Sequence, residues 1–414
     1  MKSIRGTMTV RSVIEKYPDT KGLFVAAGMG DLVEGDRYRN ITTFLSLQSV
    51  LKALGKDPHT FIKTLTDHLA STENSYDAAL RHRDQGNWDA VGVIPMAVHL
   101  KMLEVFEDLR RELKQEHGLE FGGRMASAQE GGAWITEAYR DVTDPGLLPD
   151  VCLGRGYDFF FDRIFQERFI ETGVYNVVRD GEVNPDFNGL DLPDPGSNYN
   201  VLAVIPAVII VREKARGTLP IPRSWERLLD KRYRNSVCMP DCNIDLPRAV
   251  LLTLYSRFGE EGVQSLAHNI AQLMHPSQFV RKLRAAQNDV PAFTVMPYFF
   301  AQVVSSIPGI RVVWPDEGAI IEPLYTLAKS DRGQFKSDPR AVKAAADLFM
   351  GQKVASLFAK AHFPALHPRV DNGLPAQASF WWIGWDFLQS HDVTALGARL
   401  EQMFQKHVAA KAAG

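Results

Sequence analysis

Residues 201–211 read VLAVIPAVIIV, and about a hundred residues later residues 314–318 read WPDEG. The first stretch is rich in β-branched side chains, which is typical of a strand that is buried on both faces. A block with its own strands and helices separates the two stretches, so the chain is predicted to cross between two lobes twice. A fold with two crossings has a cleft between its lobes and a hinge beneath the cleft. Such clefts close around small ligands.

Short apolar segments and amphipathic segments alternate on both sides of the first crossing. Strands are predicted at residues 90–94, 119–121, 149–154, 236–239 and 292–296. The helix after the first strand is predicted to bury a stripe made of Leu100, Leu103, Phe106, Leu109 and Leu113. This alternation favours a parallel sheet with crossover helices. The predicted class is therefore α/β.

The chain is predicted to divide into four segments. They are a small helical module at residues 1–72, a polar linker at 73–88, a first lobe at 89–198 and 325–414, and hinge strands with a second lobe at 199–324. In the module, Thr9 is predicted to cap a helix that carries Val10 and Val13, and a second helix is predicted at residues 45–54. The sequence thus predicts a small all-α domain before the α/β part.

Composition excludes several classes of protein. A length of 414 residues is too long for one core, and a net charge of −2 gives no basic field for nucleic acid. Three cysteines do not make a disulfide framework. The most apolar run, at 201–211, is below the roughly 20 residues that a membrane span needs. No apolar stretch follows the charged residues Lys2 and Arg5, so the predicted location is the cytoplasm.

The region from about Trp88 to the C-terminus resembles the type II periplasmic substrate-binding proteins of the ABC-transporter class, in the ferric-iron and phosphonate-type group. Three segments carry the resemblance: residues 149–151 (PDV) before a glycine-containing loop, residues 222–233 (PRSWERLLDKRY) and residues 315–319 (PDEGA). The resemblance implies the two-lobed type II periplasmic-binding-protein fold with two hinge crossings. It also implies a small-molecule or anion ligand between the lobes.

The first 70 or so residues resemble a short helical domain of unknown function that occurs in anaerobic redox and repair proteins. The resemblance rests on residues 9–10 (TV), 15–18 (EKYP) and 24–30 (FVAAGMG). Many members continue with a Cys-x-x-Cys pair, but residues 31–34 of this chain read DLVE. Without those thiols, the module is predicted to be a docking or oligomerisation element with a protein partner.

In the resembled fold, loops at the carboxyl ends of strands and the helices that begin there meet the ligand, and free N–H groups at helix starts favour anions. Arg155, between two glycines, is the best candidate for a charge contact; the alternative is a solvated loop arginine. Tyrosines at the cleft would supply apolar area and a donor, unless they are core residues. The predicted ligand-binding residues are Pro95, Met96, Ser127, Gln129, Arg155, Tyr157, Asn198, Tyr199, Asp241, Asn243, Asp245, Tyr298 and Glu317.

Cys238 and Cys242 are candidates for a soft-metal or cluster site, with Cys152 in the other lobe. Against this, Cys-x-x-x-Cys is not a standard ligand spacing, and free cysteine is often a small buried apolar residue. The sequence requires no cofactor. Ferric-binding relatives use adjacent tyrosines, and Tyr298 is followed by Phe299, so bare ferric iron is disfavoured.

Three hypotheses follow. The first is a cytoplasmic binding protein that closes two lobes on an anionic or metal-chelated ligand and acts as a sensor or carrier. The second is an enzyme on the same fold, with a cysteine or metal–thiolate site in the cleft. The third is an exported ABC-transporter binding protein whose start is misassigned. No phosphate loop, dinucleotide turn, zinc-protease or serine-hydrolase motif is found in the sequence.

Overall fold

The computed structural model describes most of residues 88–412, with gaps at 177–181, 242–245, 286, 288 and 331–333. Of residues 1–87 it describes 4, 6, 8–17, 20–27, 29, 32, 46–54, 56–58, 61, 62 and 65. The chain divides into two compact units, Met1–Gln85 and Gly86–Gly414.

The described part of the first unit is helical. Its helices are α1 (Val10–Lys16), α2 (Lys21–Ala26) and α3 (Leu47–Ala53). Thr9 caps α1 as predicted, because its side-chain oxygen accepts a hydrogen bond of 3.1 Å from Ser12 N. The helices bury a common apolar cluster that includes Val10, Phe24 and Leu51.

The second unit is an α/β domain. Its strands are β1 (Ala90–Ile94), β2 (Gly123–Ser127), β3 (Val151–Arg155), β4 (Asn200–Arg212), β5 (Val237–Met239), β6 (Ile270–Leu273), β7 (Phe293–Pro297), β8 (Ile310–Val313), β9 (Ala319–Ala328) and β10 (Phe380–Trp381). Its helices are α4 (His99–His117), α5 (Ala133–Tyr139), α6 (Trp225–Leu228), α7 (Leu246–Asn269), α8 (Pro276–Arg284), α9 (Tyr298–Val304), α10 (Pro339–Phe349), α11 (Gln352–Lys360), α12 (Trp385–Ser390) and α13 (Val393–Ala412). Short helical turns lie at Pro145–Leu147, Phe159–Phe161, Arg163–Phe165, Gln166–Ile170, Pro185–Phe187 and Lys231–Tyr233.

One sheet runs through the whole unit in the order β2-β1-β3-β9-β4-β7-β5-β6, with β10 beside β9 and β8 beside β4. Strands β1, β2 and β3 are parallel, and so are β5, β6 and β7. Strands β4 and β9 run antiparallel to each other, from the pair Asn200–Thr326 to the pair Ala207–Ile320, and they join the two parallel groups. We call the β1–β3 group the first lobe and the β5–β7 group the second lobe.

Strands β4 and β9 are the two predicted crossings, and they confirm the predicted fold class. All residues of β4 except Val201 and the terminal Arg212 are buried, as its β-branched sequence indicated. The second crossing, β9, begins directly after the WPDEG stretch, at Ala319. Among the helices that the structure describes, none has both the length and the apolar character to cross a bilayer.

The predicted strand at residues 119–121 is wrong, because those residues follow the C-terminal cap of α4 and form neither helix nor strand. Gly118 adopts a left-handed conformation with φ of 66°, and Leu119 N donates a hydrogen bond of 3.0 Å back to Leu113 O. Gly118 N also donates to Lys114 O at 3.2 Å, so α4 ends in a left-handed glycine cap, and β2 starts only at Gly123. The buried stripe of α4 is also shifted: Met102, Val105, Phe106, Leu109 and Leu113 are buried, whereas Leu100 is exposed.

The C-terminal helix α13 packs against α7, which connects β5 to β6 in the second lobe. Two ion pairs join the helices, Arg248 with Glu401 at 2.8 Å and Arg399 with Glu260. Residues 325–414 are predicted to belong to the first lobe, whereas these ion pairs join α13 to a helix of the second lobe. Helical periodicity shows that a face is apolar, but it does not show which neighbour covers that face.

Candidate functional site

A cavity of about 330 Å³ lies where the two lobes meet, and we call it the cleft cavity. The first lobe contributes Val93 of β1, residues of α5 and the end of β3, and the second lobe contributes residues of α7 and α13. Its polar lining consists of Thr136, Arg140, Arg155, Asp158, Asp162, Arg248 and Thr394. Arg155 is thus the residue of the predicted set that lines this cavity.

Arg155 ends β3 and is tied to the second crossing. Its Nε donates to Glu322 Oε1 at 3.1 Å, and Glu322 lies on β9 with 0% of its side chain exposed. The Arg155 side chain is 12% exposed. Because solvent screens this pair little, each charge depends on the other for compensation. The register of the sheet explains this contact. Arg155 pairs with Leu324 on β9, and Glu322, two residues away, lies on the same face of the sheet.

Arg248 reaches the cavity from the second lobe and is held on two sides. Its Nε and Nη2 donate to the two carboxylate oxygens of Glu401 on α13, at 3.1 and 2.8 Å. Its Nη1 donates to the Tyr157 carbonyl of the first lobe at 3.4 Å. The bidentate pair fixes the orientation of the guanidinium. Arg248 therefore links both lobes and α13 at the cavity wall.

Arg140 follows α5 and lines the same cavity with an exposed side chain. Its backbone N donates to Thr136 O at 3.0 Å, which continues the helix by one residue. Among the described residues, no group pairs with its guanidinium. Arg140 is thus a planar cation with its donors available to a ligand.

Two carboxylates face the arginines. Asp158 Oδ1 accepts from Tyr325 Oη at 2.6 Å and from Phe160 N at 3.1 Å. Asp162 caps the turn Arg163–Phe165: its Oδ1 accepts from Ile164 N at 2.9 Å and from Phe165 N at 3.4 Å. Both capping bonds go to one oxygen, and Oδ2 has no hydrogen-bond partner in the described part of the chain. The cavity therefore presents groups of both signs.

The predicted tyrosines are buried in the protein. Tyr157 is stacked edge-on to Phe161, and Tyr199 Oη donates to Phe160 O at 2.7 Å. Burial raises the pKa of both phenols above the ordinary value of 10, because a phenolate would lose its hydration there. Tyr298 begins α9 and packs edge-on to Trp314, and burial raises its pKa as well. None of these phenols is poised to ionise at neutral pH.

Tyr199 lines a second cavity of about 100 Å³. This cavity lies beside β4 and also touches Asp194, Asn200 and His367. It does not share lining residues with the cleft cavity. The structure therefore places Tyr199 and Arg155 at different cavities, although the sequence analysis grouped them in one site.

The other predicted site residues lie on several loops. Pro95 and Met96 form the turn after β1, where Pro95 O accepts from Val98 N at 3.0 Å. Ser127 ends β2, and its hydroxyl accepts from Gln129 N at 3.4 Å. Asn198 N donates to Asp194 Oδ2 at 2.8 Å. Asp241 follows β5 and is half-buried. The remaining predicted ligand-binding residues of this loop, Asn243 and Asp245, lie outside the described residues.

Glu317 has a local structural contact. Its two carboxylate oxygens accept from Trp225 N at 3.0 Å and from Glu226 N at 3.3 Å, at the start of α6. A carboxylate at the first N–H groups of a helix satisfies donors that lack partners within the helix. Glu317 thus connects the segment before the second crossing to the helix after the first.

The described cysteines are buried thiols. Burial raises the pKa of Cys152 and of Cys238 from 9.0 to about 12, since a thiolate would be desolvated. Cys242, the second predicted metal ligand, lies outside the described residues. Among the residues that the structure describes, no group of three or more His, Cys, Asp and Glu is placed to hold a metal ion. A thiolate–metal site therefore has no support from the described geometry.

Sequence reasoning missed most of the cavity lining. Asp158 lies in a loop that was singled out for Arg155, whereas Arg140, Asp162, Arg248 and Thr394 were not considered. The available signal for Arg140 was its place directly after the helix that follows the glycine-containing loop at 127–132. Thr394 and Arg248 meet the cavity through the packing of α13 on α7, which leaves no local pattern in the sequence.

The fold is similar to solved periplasmic binding proteins. A structure of an ABC transporter from Clostridium perfringens has a TM-score of 0.52 and 14% identity, with 76% of this chain and 99% of that chain covered. Apo FutA2 from Synechocystis has a TM-score of 0.52 and 11% identity, with 78% and 99% covered. The periplasmic binding protein AfuA from Actinobacillus pleuropneumoniae, with exogenous fructose-6-phosphate bound, has a TM-score of 0.50 and 14% identity, with 78% and 98% covered. At this identity the similarity shows a shared fold.

No curated protein matches the sequence. A family profile described as bacterial extracellular solute-binding protein matches residues 147–391, which is more than half of the chain. The matched residues contain both crossings and most of the charged lining of the cleft cavity. This protein therefore belongs to the family of bacterial extracellular solute-binding proteins.

Proposed function

We propose that this protein binds a small organic solute in the cleft cavity and that Arg140 holds a negatively charged group of the solute. The observation that carries the proposal is the available guanidinium of Arg140 on the wall of a cavity that both lobes line. A guanidinium forms charge-assisted hydrogen bonds with a carboxylate, sulfonate or phosphate. Arg155 and Arg248 line the same cavity, where each is already paired with a glutamate.

An organic anion agrees with the site better than bare ferric iron does. One protein of similar fold is a ferric ion-binding protein by name, and another holds fructose-6-phosphate. Ferric iron would call for phenolates or a carboxylate cluster, but burial raises the pKa of Tyr157 and Tyr199. In addition, the described residues hold no group of three metal-ligating acids, histidines or cysteines.

Native mass spectrometry of the purified protein, followed by calorimetric titration, tests this proposal. Arg140→Ala is expected to weaken binding of the anionic solute by roughly 10-fold to 100-fold, as for the loss of a hydrogen bond to a charged group. Arg111→Ala is the control, because Arg111 lies on the exposed face of α4, pairs with Asp108 at 3.1 Å and does not line the cavity. Equal affinity of the Arg140 variant and the control would contradict the proposal.

The sensor or carrier role and the cytoplasmic location stay predictions. The family is described as extracellular, which differs from the predicted cytoplasmic location, so the location is the prediction to test first. Fractionation of the native host, with immunodetection of the untagged protein, tests it. Recovery with a soluble cytoplasmic marker is expected, and recovery in the periplasm or medium would instead favour delivery to an ABC transporter.

A further inference from the structure

The charges around the cleft cavity do not favour a purely anionic ligand. Glu322 compensates Arg155 from inside β9, and Glu401 compensates Arg248 from α13. Among the three arginines that line the cavity, Arg140 is the one that forms no ion pair with a glutamate in the described part of the chain. The same wall carries the carboxylates of Asp158 and Asp162. A ligand with negative charge alone would therefore meet one available cation and two carboxylates.

Asp162 is the carboxylate that is suited to a ligand. Its Oδ1 is used twice by the backbone of Arg163–Phe165, whereas Oδ2 makes no hydrogen bond within the described part of the chain. A carboxylate oxygen accepts readily from an ammonium group. Thr136 lies on the same wall, one helical turn before Arg140, and it offers a hydroxyl that can donate or accept.

We infer that the solute is a small zwitterion, with its anionic group at Arg140 and its ammonium group at Asp162. This inference rests on the proposed function, since it names the class of solute for the same cavity. A volume of about 330 Å³ suits an aminoalkyl acid or a phosphorylated amino alcohol. Binding such a molecule pairs both available charges at once and leaves neither Arg140 nor Asp162 dehydrated without a partner.

Matched ligand pairs separate the two charges of the solute. The probes are β-alanine with propionate, 3-aminopropanesulfonate with propanesulfonate, and phosphorylethanolamine with ethyl phosphate, titrated by calorimetry at constant ionic strength. In the natural protein, the amine of at least one pair is expected to bind about tenfold more tightly than its parent, as for one added charge-assisted hydrogen bond.

In the variant Asp162→Asn, the amine and its parent are expected to bind with about equal affinity. Asn keeps an Oδ1 that can accept from Ile164 N and Phe165 N, so the helical cap survives while the charge is removed. Asp162→Ser is a second cap-forming variant for the case that Asn folds poorly. The matched control is Asp144→Asn, because Asp144 also caps a turn, through Gly146 N at 2.9 Å, and does not line the cavity.

Each outcome has a separate meaning. If amine and parent bind equally, or if Asp162→Asn keeps the preference, the zwitterion inference is overturned while the anion proposal stands. 1,4-Diaminobutane is titrated beside these probes as a ligand with positive charge alone. If Arg140→Ala leaves the binding of every anion unchanged, or if 1,4-diaminobutane binds and the anions do not, the proposed function is overturned. Binding by none of these probes overturns both. Loss of the amine preference in Asp162→Asn with normal binding in Asp144→Asn supports the inference.

Discussion

Removal of Arg155 tests how the cleft cavity and the second crossing depend on each other. Arg155→Met is expected to lower the free energy of unfolding by about 3–5 kcal/mol, the cost of taking one partner from a buried ion pair. The high value follows from burial: Glu322 has no exposed side-chain surface, and Arg155 is 12% exposed. The methylene groups of Met replace much of the apolar stem of Arg155, so the change is mainly one of charge.

The double variant Arg155→Met/Glu322→Gln identifies the origin of this loss. It removes both charges, and replacing a buried ion pair by uncharged groups often leaves the stability unchanged. The double variant is therefore expected to recover most of the stability that Arg155→Met loses.

Urea unfolding followed by far-UV circular dichroism measures these free energies. Arg111→Met is the reference, because the Arg111–Asp108 pair on α4 is exposed and such pairs contribute about 0–1 kcal/mol. The reasoning is refuted if Arg155→Met and Arg111→Met lose similar stability. It is also refuted if the double variant is less stable than Arg155→Met, since the loss would then not come from the charge left on Glu322.

Two other predictions concern buried contacts. Gly397→Ala in α13 is expected to lower the free energy of unfolding, because the added Cβ would lie 2.9 Å from Arg248 Cδ. This clash opposes the preference of about 1 kcal/mol that a helix interior has for Ala over Gly. A higher free energy of unfolding in urea would contradict the prediction. In a Cys242→Ala variant, Cys152 and Cys238 are expected to resist Ellman's reagent at pH 8 and to react only after unfolding. Burial raises the pKa of both thiols to about 12, so both stay protonated at pH 8. Rapid reaction of the folded variant would contradict the burial of these thiols.

Local patterns made much of the fold predictable. The strand at Ala90–Ile94 has the predicted bounds, and β4 contains the whole apolar run at 201–211. Both are continuous apolar segments with a turn-forming residue nearby, so burial and propensity agree. The error at residues 119–121 arose where two signals compete: Leu119 is apolar like a strand residue, but Gly118 directs its N–H into the cap of α4.

The cleft cavity was less predictable because its residues meet only through tertiary packing. Arg155 was found from its two glycine neighbours at the end of a strand. Asp162 has the ordinary sequence pattern of a turn cap, and nothing local shows that its second oxygen faces a cavity. Arg248 reaches the cavity because α13 holds it through Glu401, and the sequence separation of that pair hides the contact.

The contacts of the three arginines explain why Arg140 is central to binding. Arg155 already compensates Glu322 within β9, so an anion beside Arg155 shares its guanidinium with a second negative charge. Arg248 directs Nε and Nη2 to Glu401 and Nη1 to the Tyr157 carbonyl, so binding there has to compete with those bonds. A ligand that binds either of these two arginines therefore weakens contacts that the arginine already makes, and this cost offsets part of the binding free energy. Arg140 has no such competing bond among the described residues, and its full charge-assisted interaction is available to the solute.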